Sequence, residues 1–222
     1  MARIGVILSG CGVYDGSEIH EAVLTLLALD RAGAEIVMMA PNIEQLHTVN
    51  HLNGNEEEGM RNVLRESARI ARGKIMPTTN MAAADLDGLI IPGGFGVAKN
   101  LSDYAMVGPG SAINPEVMRL TAEFLDAGKP IGAMCIAPTL VARVGQQMGR
   151  TLKLTIGNDP ATIADLEKMQ AVHVECPVDE IVVDEENNLV STPAYMLGES
   201  ISQVAVGVDK LVAKTLAMAT AG

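Results

Sequence analysis

A recurring alternation constrains this chain more than any other feature. Short, almost wholly apolar runs at 4–8, 34–40, 89–91 and 130–133 are each followed, directly or after a loop, by a segment with helical spacing. Runs that are apolar on both faces belong to strands covered on both sides, so the pattern predicts an α/β fold with a mostly parallel sheet wrapped by helices. At 222 residues the chain fits one domain, 1–222, with no linker, repeat or low-complexity stretch. Hydrophobic residues make up 48%, enough for a sizeable core. With no Trp and 2% aromatics, that core must be aliphatic, built from Ala, Val, Ile, Leu and 13 Met.

Local signals set the expected element ends. Asp15 and Glu18 resemble a capping box opening a first helix. That helix runs to Ala32, carries Ile19, Ala22, Val23, Leu26 and Leu27 on its apolar face, and is stopped by Gly33. Residues 41–61, with Glu56-Glu57-Glu58, read as a polar surface excursion, followed by a helix over 62–72. Residues 97–113 read as irregular. Asn114 as N-cap and Pro115 at the first helical position open a helix that Gly128 closes. Beyond it the pattern predicts a helix at 137–145, strands at 152–156, 172–175, 181–184 and 189–191, and helices at 161–169 and 199–219. Glu186-Asn187-Asn188 forms a hairpin turn between the last two strands.

Charge and composition exclude several classes of function. The net charge of −11 repels phosphate backbones, and the scarcity of aromatics removes stacking platforms, so nucleic acid is not an expected partner. No apolar run approaches ~18 residues, so no membrane span is expected. Cys11, Cys135 and Cys176 are too few and too widely spaced for a disulfide framework or a CxxC metal site. Met1-Ala2-Arg3 leads straight into an apolar run, without a signal-peptide core. These features predict a reducing, cytoplasmic setting. His47 and His51 have the i, i+4 spacing of some metal sites, but no third ligand accompanies them, and neither metal nor cofactor is expected.

The segment that carries chemistry is Ala133-Met134-Cys135-Ile136-Ala137. A buried strand runs directly into a helix with the cysteine at the junction. Such a nucleophile elbow strains the backbone, requires small residues two before and two after, and exposes the side chain at the carboxyl edge of the sheet. The helix N-terminus is expected to lower the thiol pKa and present a thiolate. Pro92-Gly93-Gly94-Phe95-Gly96 ends another strand at the same edge. There the N–H groups of Gly94 and Ile136 are expected to form an oxyanion hole, with Gly93 beside them. Cys11, on the loop leaving the first strand, is placed by topology where it could tune or oxidatively trap Cys135, though an inert loop cysteine fits equally well. Cys176 reads as structural.

Taken together, these segments resemble the PfpI superfamily, the flavodoxin-like group that includes class I amidotransferase domains, over essentially the whole chain. Residues 4–18, Pro92 to Gly96 with Ala98-Lys99-Asn100-Leu101, Met134-Cys135-Ile136-Ala137-Pro138 and Thr192-Pro193-Ala194-Tyr195-Met196 are similar to bacterial ElbB-type glyoxalases. The resemblance implies a flavodoxin-like three-layer sandwich, homodimerisation, weak activity on glyoxal and a loose link to isoprenoid biosynthesis. It further implies a carboxylate from the first helix set against the cysteine. Matching Arg31-Ala32-Gly33 to the equivalent helix end makes that residue Glu21, with Glu18 as competitor.

The chain departs from the superfamily pattern after the elbow. Many members supply a histidine there, where this sequence reads Leu154-Thr155-Ile156-Gly157-Asn158-Asp159. Asn158 or Asp159 could orient a water instead. His173-Val174-Glu175 begins 38 residues after Cys135, and resembles the later His-x-Glu of class I amidotransferases at a shorter separation. His20 reads as a helix-surface residue that could lie near the site.

The expected activity is a slow, cofactor-independent glyoxalase acting on a small aldehyde, with Cys135 as nucleophile and Glu21 as proton carrier. The alternatives are a glutaminase using Cys135 and His173, and a redox-sensing or chaperone-like dimer in which Cys135 becomes a sulfinic acid.

Overall fold

A computed structural model describes residues 1–220. Its first half contains β1 (Arg3–Ile7), α1 (Ile19–Arg31), β2 (Glu35–Ala40), α2 (Val63–Ile70), β3 (Met76–Pro77), β4 (Gly88–Ile91), α3 (Tyr104–Val107) and α4 (Pro115–Asp126). The second half contains β5 (Ile131–Met134), α5 (Ala137–Gln147), β6 (Lys153–Leu154), α6 (Pro160–Lys168), β7 (Val172–His173), β8 (Val182–Asp184), β9 (Leu189–Thr192) and α7 (Ile201–Ala219).

Seven strands form one sheet in the order β3-β2-β1-β4-β5-β9-β8. All neighbours are parallel except the β8–β9 hairpin. Alternation along each strand divides the core into two layers. Ile7, Met39, Leu89, Ile91 and Ile131 face α4, α5 and α6. Ile4, Val6, Leu8, Ile90 and Val190 face α1, α2 and α7. The result is a mostly parallel, flavodoxin-like sheet between two helical layers. Strand order reverses at β1, with β2 on one side and β4 on the other. A crevice for ligands therefore opens beyond the carboxyl ends of these central strands.

The loops after β1 and β4 close that crevice from behind. Glu18 N–H donates to Gly93 O (2.9 Å), Phe95 N–H to Val13 O (2.8 Å), and Gly96 N–H to Gly16 O (2.8 Å). Asn100 Nδ2 bridges the carbonyls of Ser9 (2.8 Å) and Asp15 (2.9 Å). Gly94 adopts φ +99°, and a Cβ there would collide with the backbone of Gly16, Ser17 and Glu18.

Several expected boundaries move. The first helix begins at Ile19, capped by the Glu18 carboxylate, which accepts Glu21 N–H at 2.7 Å. Asp15 is not its cap; it is buried and accepts Val49 N–H at 2.8 Å, tying the 41–61 excursion to the first loop. The helix is also rotated from the expected orientation. Glu21, Ala22, Thr25 and Leu29 are buried, while Ile19, Val23 and Leu27 are exposed. Hydrophobic count alone misplaced the face, because a buried carboxylate and threonine occupy the inner stripe. Residues 97–113 are more regular than expected, with a wide turn of π-helix at Val97–Leu101 followed by α3. The strands expected at 152–156 and 172–175 shorten to β6 and β7, which pair with each other outside the main sheet.

Candidate active site

Cys135 stands between β5 and α5 with φ +60°, a left-handed conformation strained for any residue with a Cβ. The surroundings hold it there: its N–H donates to Thr192 O on β9 at 3.1 Å. Ala133 and Ala137 on either side are fully buried, which explains the small residues at those positions. The elbow read from the sequence is present.

Glu21 reaches the same point from α1. Its side chain is fully buried. Oε2 accepts Gly93 N–H at 2.8 Å, Oε1 accepts Tyr195 N–H at 3.2 Å, and the carboxyl lies beside the Cys135 thiol. Burial, then the charge of Glu18, raises the Glu21 pKa from its ordinary 4.5 to about 7. Gly93 makes this approach possible. A Cβ on it would lie 2.7 Å from Glu21 Oε2 and 2.9 Å from Cys135 Sγ, besides overlapping Cys135 Cβ.

The sulfur differs from expectation. Burial pushes the thiol pKa well up, and the Glu21 carboxylate pushes the same way. The N–H groups of Gly94 and Ile136 face the sulfur and pull downward without offsetting those effects. The helix N-terminus does act on Cys135, but the resting group is a thiol rather than an exposed thiolate. The two N–H groups expected to form a free oxyanion hole are directed at the sulfur itself.

Cys135 keeps 8% exposure and lines a cavity of about 420 Å³. Val13, Phe95, Ala98, Tyr104 and Met196 provide apolar wall, while Glu18, Asp159, Thr162 and Tyr195 provide the polar wall. Asp159, at the place where a histidine was looked for, caps α6 and accepts from Thr162 N–H (2.8 Å) and Oγ1 (2.7 Å). Tyr195 Oη hydrogen-bonds His20 Nδ1 at 2.7 Å, which brings His20 to the rim. Tyr104 Oη donates to Asp165 at 3.0 Å and holds α3 against α6. Sequence reasoning assigned no role to Tyr104, Thr162 or Tyr195. Only the matching block 192–196 pointed toward Tyr195.

Two predicted accessory residues lie elsewhere. The ring of His173 is surrounded by Gly157, Glu175 and Glu167, and burial lowers its pKa. It does not line the Cys135 cavity, because β7 pairs with β6 away from the main sheet. Cys11 sits among Glu66, Arg69, Asp15 and Arg61 on the α2 side, and it too is outside the cavity lining. His47 lies 3.4 Å from Glu56, and His51 accepts Tyr14 N–H at 3.2 Å. Among the described residues, no group of His, Cys, Asp and Glu is arranged to hold a metal ion.

Residues 11–197 match the family model described as DJ-1/PfpI. This chain belongs to the DJ-1/PfpI family. It is 44% identical to the human protein named glutamine amidotransferase-like class 1 domain-containing protein 3, mitochondrial, over 97% of this chain and 82% of that one. The rat ES1 protein homolog, mitochondrial, is 43% identical over 97% and 83%. Among solved structures of the DJ-1/PfpI fold, an isoprenoid biosynthesis protein with amidotransferase-like domain from Ehrlichia chaffeensis superposes with a TM-score of 0.92. It is 39% identical, covering 98% of this chain and 99% of that one. Glyoxalase III from Candida albicans superposes at 0.63 over 98% and 97%, with 14% identity, a likeness of fold alone. No helix among the described residues is long and apolar enough to cross a membrane.

Proposed function

We propose that this chain is a slow, cofactor-independent glyoxalase that converts glyoxal or a similar 2-oxoaldehyde to a hydroxy acid. The observation that carries the reading is the Cys135 thiol and Glu21 carboxyl set side by side against Gly93 at a cavity of small-molecule size. Cys135 Sγ adds to one aldehyde carbon as its proton passes to the Glu21 carboxylate, giving a hemithioacetal. A carboxyl with a pKa near 7 suits proton transfer in both directions at neutral pH. Once sulfur is bonded to carbon, the N–H groups of Gly94 and Ile136 are released to the developing alkoxide. Glu21 hands the thiol proton to that oxygen, and its carboxylate then takes the proton from the sulfur-bearing carbon and returns it to the neighbouring carbon, while the hydroxyl proton passes from the first oxygen to the second. The product is a thioester, which water cleaves to glycolate and free thiol. The raised thiol pKa limits the rate.

The position of His173 argues against a glutaminase pair. Three unpaired cysteines suit a reducing, cytoplasmic setting, and a homodimer is proposed with it. The test is glyoxal consumption by the purified chain, with glutamine hydrolysis measured alongside. Cys135→Ser should abolish the first, and Glu21→Gln should lower it about 100-fold or more. Undiminished consumption by Cys135→Ser would refute the mechanism.

A further inference from the structure

The wall of the cavity has an unbalanced charge. Glu18 and Asp159 both line it, Glu21 lies behind Cys135, and no Lys, Arg or His is among the lining residues. Lys99 is not among the lining residues: its Nζ lies 5.6 Å from the Phe95 ring centroid and donates to Tyr14 O at 3.0 Å. His20 touches the site only through the Tyr195 hydroxyl. Every ionisable group on this wall that is charged near neutral pH is therefore a carboxylate. The rest is neutral, mostly apolar side chain, which screens charge poorly.

We infer that the cavity sorts electrophiles by charge, admitting neutral and cationic carbonyl compounds and turning away those that carry a carboxylate, with Asp159 as the residue that sets this preference. The inference rests on the reading of Cys135 as the reacting group and adds its substrate class. Glyoxal and methylglyoxal fit, as does an aldehyde bearing an ammonium group. A 2-oxo acid such as glyoxylate does not, and neither does glutamine, whose α-carboxylate would enter the same field. Product chemistry agrees. The hydroxy acid leaving the thioester is an anion at neutral pH and is driven out by the wall that admitted its neutral precursor. Asp159 is the suitable lever because two hydrogen bonds from Thr162 keep its carboxylate ionised. Asn caps a helix about as well as Asp, so Asp159→Asn removes the charge while keeping the cap. Glu18 cannot be neutralised so cleanly, because its charge also raises the Glu21 pKa.

Three small thiosulfonates separate charge from reactivity. Each transfers its thioalkyl group to a thiol, forming a disulfide, releasing methanesulfinate and giving the thiol proton to base. The 2-aminoethyl reagent is a cation, the 2-sulfonatoethyl reagent an anion and the methyl reagent neutral. Labelling of Cys135, located by mass spectrometry, should be at least about tenfold slower with the anion than with the cation. That ratio should fall about threefold or more in Asp159→Asn and shrink in 0.5 M salt. Cys11 in Cys135→Ser is the reference for the field of the whole acidic chain, since Glu66 and Asp15 beside it are balanced by Arg61 and Arg69. Equal rates at Cys135, or a ratio unchanged by Asp159→Asn, would overturn the charge selection alone. No labelling of Cys135 by any reagent would overturn both the selection and the glyoxalase reading.

Discussion

Replacing Glu21 by Gln should make the stability difference between variant and parent depend strongly on pH. Glu21 is fully buried, and its pKa rises from 4.5 to about 7 on folding. The folded chain therefore holds the Glu21 proton more tightly than the unfolded chain does. The resulting stability is fully present below about pH 4.5 and is lost as the pH climbs through about 7. At ~1.4 kcal/mol per pH unit, the loss is about 3 kcal/mol. Gln does not titrate, but it sets an amide NH₂ against one of the N–H donors of Gly93 and Tyr195, at a fixed cost of roughly 1–3 kcal/mol. That cost and every titration common to both proteins cancel when the difference is followed across pH. Urea unfolding of both proteins at pH 5, 6, 7 and 8 measures it. The parent should lose about 2–3 kcal/mol relative to Glu21→Gln between pH 5 and pH 8. A difference constant within about 1 kcal/mol, or one that grows in the parent's favour as pH rises, would mean that Glu21 is an ordinary stabilised carboxylate. The proton relay proposed for it would then lose its basis.

Gly93→Ala places a methyl against Glu21 Oε2 and Cys135 Sγ. It should lower glyoxal consumption more than tenfold and cost about 1–3 kcal/mol in a denaturation assay. His173→Ala should leave glyoxal consumption within about twofold of the parent, because its ring is outside the cavity; loss of activity in a folded variant would reinstate it as a partner of Cys135. Phe124→Ala empties the largest fully buried side chain of the α4 layer and should cost about 3–5 kcal/mol in denaturant unfolding. Below its melting temperature that variant should keep its activity.

The sheet was readable because its strands carry their burial in composition. Ile4 to Leu8 and Leu89 to Ile91 have no polar face, and each turns into a helix or glycine loop at the expected place. The elbow was readable because a cysteine between two alanines at a strand–helix junction has few other uses. The orientation of α1 was not readable. A helix with Ile19, Val23 and Leu27 on one stripe normally buries them, yet here that stripe is exposed and Glu21 points inward. Only the contacts of Gly93 and Tyr195 justify burying a carboxylate, and both are remote in sequence. The cavity wall was equally hidden. Tyr104, Asp159 and Tyr195 come from three separate loops and helix ends, and no local pattern announces that they converge.

The raised thiol pKa and the proposed nucleophile are reconciled by counting charge in the pair rather than on either residue. Gly93 and Tyr195 direct N–H groups at the carboxyl, and Gly94 and Ile136 direct N–H groups at the sulfur. Four donors thus surround a site with room for one negative charge, wherever it rests. Burial opposes a second charge, which is why both groups titrate upward. With the cavity empty, the carboxylate holds the charge and the sulfur keeps its proton. An aldehyde carbon within reach draws electron density from the sulfur, and the proton can cross to Glu21 without any charge entering or leaving the buried pair. The transfer then costs little in solvation, so the same burial that quiets the resting thiol lets it react with an electrophile small and uncharged enough to enter.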